Sequence, residues 1–268
     1  LDTHGLYLYC IVPAGGTPPV IAAPALDGGQ VGAVCHEGVA ALTHACPPRP
    51  YQGSEDLVRD WVAAHNAVVE EAWGSAGSVL PMSFDVIVRG DDSTSAEAQL
   101  RCWLREHHEA LRGRLAALQG RAEVGVQVMS RSPAPGEGAA AGLPPARGRA
   151  YFARQQLSRQ LADQREREAS ARADRYLENL AALSEDIHAN APRHTKDMHM
   201  VLNASLLVLR EMIPPVGEYL EVVRREPATE VRFTGPWPPY SFVGTFDTVV
   251  SDQGAGKRGE PDSGGTKC

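Results

Sequence analysis

Residues 132–148 of this 268-residue chain carry Pro133, Pro135, Pro144 and Pro145 among glycine and alanine. Proline lacks the N–H that a helix or an interior strand needs, and glycine is entropically costly to order, so such a stretch continues neither element. It therefore divides the chain, whose length already exceeds that of one typical domain. The reading is an N-terminal unit at 1–130, a Pro/Gly/Ala linker at 131–148 and a C-terminal unit at 149–250. The remaining 251–268 has almost nothing to bury and reads as a disordered tail.

Within the first unit, residues 6–12 (Leu-Tyr-Leu-Tyr-Cys-Ile-Val) are aromatic and β-branched and stop at Pro13, which predicts a buried opening strand. Residues 31–35 and 39–44 predict a hairpin around His36-Glu37-Gly38. Residues 54–73 predict a helix capped by Ser54, with Glu55 and Asp56 at its positive end. Leu57, Trp61, Ala64, Val68 and Ala72 share one face of it, and Gly74 is the expected stop. Strand-like residues at 79–88 flank Pro81. A single second helix is expected over 94–118, opened by a capping box at Thr94-Ser95-Ala96-Glu97 and carrying Leu100, Leu104, Leu111, Leu115 and Leu118. Residues 124–129 alternate Val with Gly and Gln, as an edge or half-buried strand closing this unit would.

In the second unit, residues 149–189 predict one long helix with the stripe Tyr176, Leu180, Leu183 and Ile187, ended by Pro192. A strand at 198–209, a helix at 214–224 begun by Pro214-Pro215 and a strand at 230–234 follow. The fold class is α+β: two units, each a small, mostly antiparallel sheet packed with helices. The second unit includes the long helix and is compatible with a ferredoxin-like arrangement.

The formal net charge of −7 argues against a nucleic-acid footprint, which needs clustered Lys and Arg. No apolar run approaches the length that spans a bilayer. No basic segment followed by a hydrophobic stretch and a cleavage site opens the chain, so no secretion signal is expected; Leu1 in place of Met reads as a trimmed start. The five cysteines, Cys10, Cys35, Cys46, Cys102 and Cys268, are odd in number and widely spaced, which predicts reduced thiols rather than a disulfide framework or a zinc site.

Phosphate-binding, dinucleotide-binding, nucleophile-elbow and zinc-protease motifs are missing. His107 and His108 are neighbours on a predicted helix and point in different directions, which does not suit one metal. His65 lies beside the apolar stripe of the first helix and is expected at a core edge, hydrogen-bonded to backbone. His194 and His199 flank Lys196 and Asp197, as in a polar pocket or a solvated turn. An enzyme using His65, His194 or His199 and a small-molecule or metal-binding regulatory module are the alternatives such residues leave open.

The most specific local feature is 235–243, Gly-Pro-Trp-Pro-Pro-Tyr-Ser-Phe-Val. Trp237, Pro238, Pro239, Tyr240 and Phe242 put three aromatics on a backbone stiffened by proline, which suits either a core-sealing corner or a presented binding surface. This segment resembles the C-terminal signature of the gas vesicle GvpF/GvpL family. The opening strand at 6–12, His-Asn-Ala-Val-Val-Glu at 65–70, Val-Leu-Pro-Met-Ser-Phe at 79–84 and Gly-Arg-Ala-Tyr-Phe at 148–152 are similar to further family motifs, in order. Ser83 and Asp85 depart from the pattern, standing where the family tends to have Arg and Gly.

The resemblance implies two α+β domains and a cytoplasmic protein associated with gas vesicles. It implies binding of the hydrophobic shell protein GvpA, and of other accessory proteins, without enzymatic activity. No cofactor, metal, nucleic acid or lipid membrane is expected as a partner. The edge of the first sheet and the 237–242 segment are the expected contact surfaces.

Overall fold

The structure is a computed structural model that describes residues 5–130, 149–190 and 199–244. The expected linker at 131–148 and tail at 251–268 lie outside the described residues, as do Pro192 and His194. Two antiparallel sheets, each with its own helices, confirm the α+β class.

The first unit holds β1 (Gly5–Pro13), β2 (Gly32–His36), β3 (Val39–Cys46), β4 (Leu80–Pro81) and β5 (Ile87–Val88), in the order β2-β3-β1-β4 with β5 also paired to β1. β1 is the axis: residues 7–12 are buried without interruption, as a strand covered on both faces must be. β2 and β3 form the predicted hairpin, turned by Glu37 and Gly38 at φ 35° and 88°.

Helix α1 (Glu55–Ala76) is capped by Ser54 as predicted but runs past Gly74. It stops at Gly77, whose left-handed φ of 78° lets its N–H return to the Trp73 carbonyl. The second predicted helix is two: α2 (Ala96–Glu106), capped by Ser95 rather than Thr94, and α3 (His108–Leu118). The break is His107. Its backbone N–H and ring Nδ1 both reach the Trp103 carbonyl, and its ring stacks on Trp103 at 4.7 Å. The leucine stripe survives the break, with Leu100, Leu104, Leu111, Leu115 and Leu118 all buried.

The division of the chain differs from the expected 1–130 and 149–250. The first unit comprises the residues up to Gly120 together with those from Pro238 onward, and the second is Arg121–Trp237. The reason is a ladder. β6 (Arg121–Ser130) pairs with β8 (His199–Leu209) along its whole length and with β9 (Thr229–Trp237) on its other side. It is a central strand of the second sheet, not an edge strand of the first.

The second unit runs β6, α4 (Arg149–Ala181), β7 (Asp186–Ala189), β8, α5 (Ile213–Arg224), β9. Its strand order β7-β8-β6-β9, all antiparallel, is that of a ferredoxin-like βαββαβ unit. The long helix ends at Ala181 instead of 189, because Ile187 belongs to β7, which covers one side of β8. Val124, Val126 and Val128 of β6 and Leu202, Ala204, Leu206 and Val208 of β8 meet Tyr176 and Leu180 of α4 and Val216, Leu220 and Val223 of α5 in one core.

A polar clamp closes that core. The buried Tyr176 donates its hydroxyl to Glu226 at 2.6 Å; Arg175 donates to the same carboxylate at 2.8 Å, and Arg172 to Thr229 at 2.9 Å. Tyr176→Phe removes a charge-assisted hydrogen bond without opening a cavity. The expected loss is about 1–3 kcal/mol of unfolding free energy, read from the urea denaturation midpoint.

Candidate functional site

The 235–242 segment leaves β9 through a distortion. Gly235 has φ 108°, and a Cβ there would come within 2.9 Å of the Glu123 carbonyl oxygen. The Gly235–Pro236 peptide is cis, and the pairing register slips between Glu123 and Gly125 before Trp237 pairs with Glu123. Trp237 is left 47 % exposed at the end of β9. Pro238, Pro239 and Phe242 are buried, and Tyr240 is half-exposed. The Tyr240 hydroxyl donates to Asn66 Oδ1 at 3.1 Å, and the Arg114 guanidinium donates to the Phe242 carbonyl. The five residues thus divide: Trp237 faces outward, while those from Pro238 onward seal the first unit.

His65 is not at a core edge but inside it, 1 % exposed. Its Nε2 lies 3.1 Å from the Met82 carbonyl and its Nδ1 2.9 Å from the Tyr7 hydroxyl. A carbonyl only accepts, so Nε2 carries the hydrogen, and Nδ1 accepts from Tyr7. The Tyr7 hydroxyl in turn accepts the Asp85 N–H at 3.1 Å. Tyr9, His44, Tyr51 and Phe84 complete a ring cluster around this chain of bonds. The sequence motifs at 6–12, 65–70 and 79–84 therefore converge on one network, which their separation along the chain conceals.

His107 and His108 tie elements together. His108 Nε2 donates to the Glu37 carbonyl at 2.7 Å, tying α3 to the β2–β3 turn, and His107 holds the helix break. His199 opens β8 opposite Ser130. Among the described residues there is no group of three or more His, Cys, Asp or Glu side chains able to hold a metal, and no helix long and apolar enough to cross a membrane. Cys10, Cys35 and Cys46 are free thiols, and burial pushes the Cys46 thiol up to about 11.

Two surfaces of the first unit are open. β2 ends the strand order, and Ala33 and Cys35 on it are exposed. An open groove of about 900 Å³ begins at the β2–β3 turn and is lined by Val39, Leu115 and Ala116, with Glu37, Glu109 and Arg112.

Burial lowers the His65 pKa from 6.5 to about 4, against a smaller upward pull from the Met82 carbonyl. The unfolded chain takes up this proton near pH 6.5, and the folded chain only near pH 4. The stability His65 contributes is therefore present above about pH 6.5 and is lost as pH falls towards 4, by on the order of 3 kcal/mol. His65→Gln, which can keep both hydrogen bonds and cannot titrate, should flatten the denaturation midpoint between pH 7 and 4.5. His44, lowered in the same way, leaves a residual slope.

The family model for "Gas vesicle synthesis protein GvpL/GvpF" matches residues 5–244. Gas vesicle protein L1 of Halobacterium salinarum is 27% identical, covering 90% of this chain and 91% of that protein. Gas vesicle protein L of a Streptomyces species is 29% identical, covering 94% and 97%. Among solved structures, GvpF of Anabaena sp. PCC7120 superposes with a TM-score of 0.69 at 20% identity, over 91% of this chain and 99% of that one. GvpF of Microcystis aeruginosa does so with a TM-score of 0.65, over 90% and 99%. The same two-sheet architecture and a match that runs through every described element lead to one assignment: the chain belongs to the GvpL/GvpF family of gas vesicle synthesis proteins.

Proposed function

We propose that this protein is a cytoplasmic accessory factor of gas vesicle assembly. It binds the shell protein GvpA, keeps it soluble and delivers it to the growing shell, acting by binding and not by catalysis. The family match over residues 5–244 carries the reading. A shell protein that faces gas must carry a water-excluding surface, which aggregates if it stays exposed before assembly. An acidic protein with an open groove next to a strand edge offers such a surface a temporary seat. In the groove Ala116 and Pro13 offer the apolar contact above the buried Val39 and Leu115, and the β2 edge supplies backbone partners for an added strand. Trp237 is a second contact, being large, aromatic and 47 % exposed. Against an enzymatic role stands the state of His65, whose two ring nitrogens are both engaged inside the core.

Co-expression with tagged GvpA, followed by affinity capture, tests this. The intact chain should co-purify and raise the soluble fraction of GvpA. Ala116→Glu in the groove and Ala33→Lys on the edge should each cut the captured amount by roughly fivefold, and Trp237→Ala by a comparable factor. Absence of capture with a folded intact chain rejects GvpA as the partner. Capture by all three variants at the intact level rejects these surfaces.

A further inference from the structure

We propose that this protein forms a symmetric dimer through its second unit, two copies of β9 pairing antiparallel about Val231 so that their sheets join into one. β9 ends the strand order of that unit. β6 pairs with one side of it, and no strand among the described residues pairs with the other. Residues 229–233 read Thr-Glu-Val-Arg-Phe, without the proline or bulge that blunts a free edge. Two opposite charges remain on this stretch, and their spacing decides which strand it accepts.

The ladder fixes which backbone groups face the open side. The Asn190 N–H donates to the Asn203 carbonyl at 2.7 Å, so Asn203 and every second residue of β8 turn their backbone groups away from β6. Leu202, Ala204 and Leu206 therefore turn theirs towards β6, where they stand opposite Val128, Val126 and Val124. Gly125 and Gln127 are left to bond β9, opposite Thr234 and Arg232. By the same alternation Thr229, Val231 and Phe233 turn their backbone groups outward. The Val231 carbonyl is indeed reached from α5, by the Arg224 guanidinium at 3.5 Å, and the Thr229 N–H turns to the Glu226 carbonyl at 3.3 Å.

The side chains select the partner. Val231 points into the core, while Glu230 and Arg232 share the other face of the sheet, 3.6 Å apart, with their side chains 35% and 63% exposed. A second copy laid antiparallel about Val231 sets its Arg232 opposite Glu230 and its Glu230 opposite Arg232. Both cross-strand pairs then unite opposite charges, the favourable arrangement for directly facing residues. A strand that reads Glu-Val-Arg is its own antiparallel complement, which selects a second copy over an unrelated edge.

The neighbouring registers are worse. Centring the pair on Glu230 or on Arg232 sets like charge against like charge. Centring it on Phe233 runs Val231 against Gly235, whose φ of 108° leaves the extended region. About Val231 the edges also exchange backbone bonds: each Val231 N–H meets the other Val231 carbonyl, and each Phe233 N–H the other Thr229 carbonyl. A ladder over residues 229–233 is a small contact, so the dimer is weak and forms with rising concentration.

Sedimentation velocity of the full chain, from micromolar to millimolar concentrations, tests this. The intact chain should pass from monomer to dimer. Arg232→Glu makes both pairs Glu–Glu, and Glu230→Arg makes both Arg–Arg; each should weaken the dimer roughly tenfold or more. An equimolar mixture of the two variants has opposite charges at every pair and should form a mixed dimer within about threefold of the intact affinity. Circular dichroism of each variant establishes that it is folded. Three results overturn the proposal: a monomer at every concentration, a dimer that both single variants leave intact, or folded variants that fail to pair when mixed. A chain that stays monomeric yet captures GvpA, and loses that capture in Arg232→Glu, gives the edge to the shell protein and overturns the second copy.

Discussion

Two tyrosines buried side by side on a central strand set the terms for the first unit. Tyr7 and Tyr9 are fully inaccessible, and a hydroxyl taken from water without a partner costs about 1–3 kcal/mol. Each partner found for them fixes another piece of chain. The Tyr7 hydroxyl fixes α1 through His65 and the 82–85 segment through the Asp85 N–H. The Tyr9 hydroxyl accepts the Leu26 N–H at 3.1 Å and anchors a loop that has no regular structure of its own. Glu71 of α1 takes the N–H groups of Ala22 and Ala23 at 2.7 and 2.8 Å and holds the same loop from its other side. The polar network is thus the means by which irregular segments are placed on the sheet.

Asp85 shows what this placement demands of the backbone. Its φ of 72° lies in the left-handed region, where glycine is unstrained and aspartate is tolerated at some cost. The family resemblance leads one to expect glycine there. The carboxylate brings something glycine cannot, the 3.0 Å bond to the Tyr51 N–H. Burial raises the pKa of that carboxyl, with the Tyr51 N–H and Arg89 opposing the shift.

Much of the secondary structure could be read from the sequence because local chemistry decides it. The opening strand, the β2–β3 hairpin, the Ser54 cap and the leucine stripe of α2 and α3 all follow from period, turn residues and capping. What could not be read depends on partners far along the chain. β6 alternates Val with Gly and Gln like an edge strand, yet two partners sandwich it. Ile187 continues a helical stripe by spacing and is taken by β8 instead. The proline-rich 131–148 segment looks like a domain boundary, while the boundaries in space fall at Gly120 and at Pro238, inside a Gly-Pro-Trp-Pro-Pro run that the sequence offers as a corner or a binding surface. Of the candidate surfaces, the aromatic 237–242 segment stood out in the sequence. The open edge of β9 did not, because which side of a strand stays unpaired is a tertiary event.

The second unit interrupts the first: the chain leaves the first unit after Gly120 and rejoins it at Pro238. β6 and β9 are neighbours in register, with Glu123 opposite Trp237, so the inserted sheet begins and ends at one spot. During synthesis this imposes a schedule. The nascent first unit must wait for the whole insert to leave the ribosome before Pro238, Pro239 and Phe242 arrive to seal it. At about 5–20 residues per second that interval is on the order of ten seconds. The inserted sheet, by contrast, is complete as soon as β9 emerges. The half of the protein made first is therefore the half that matures last.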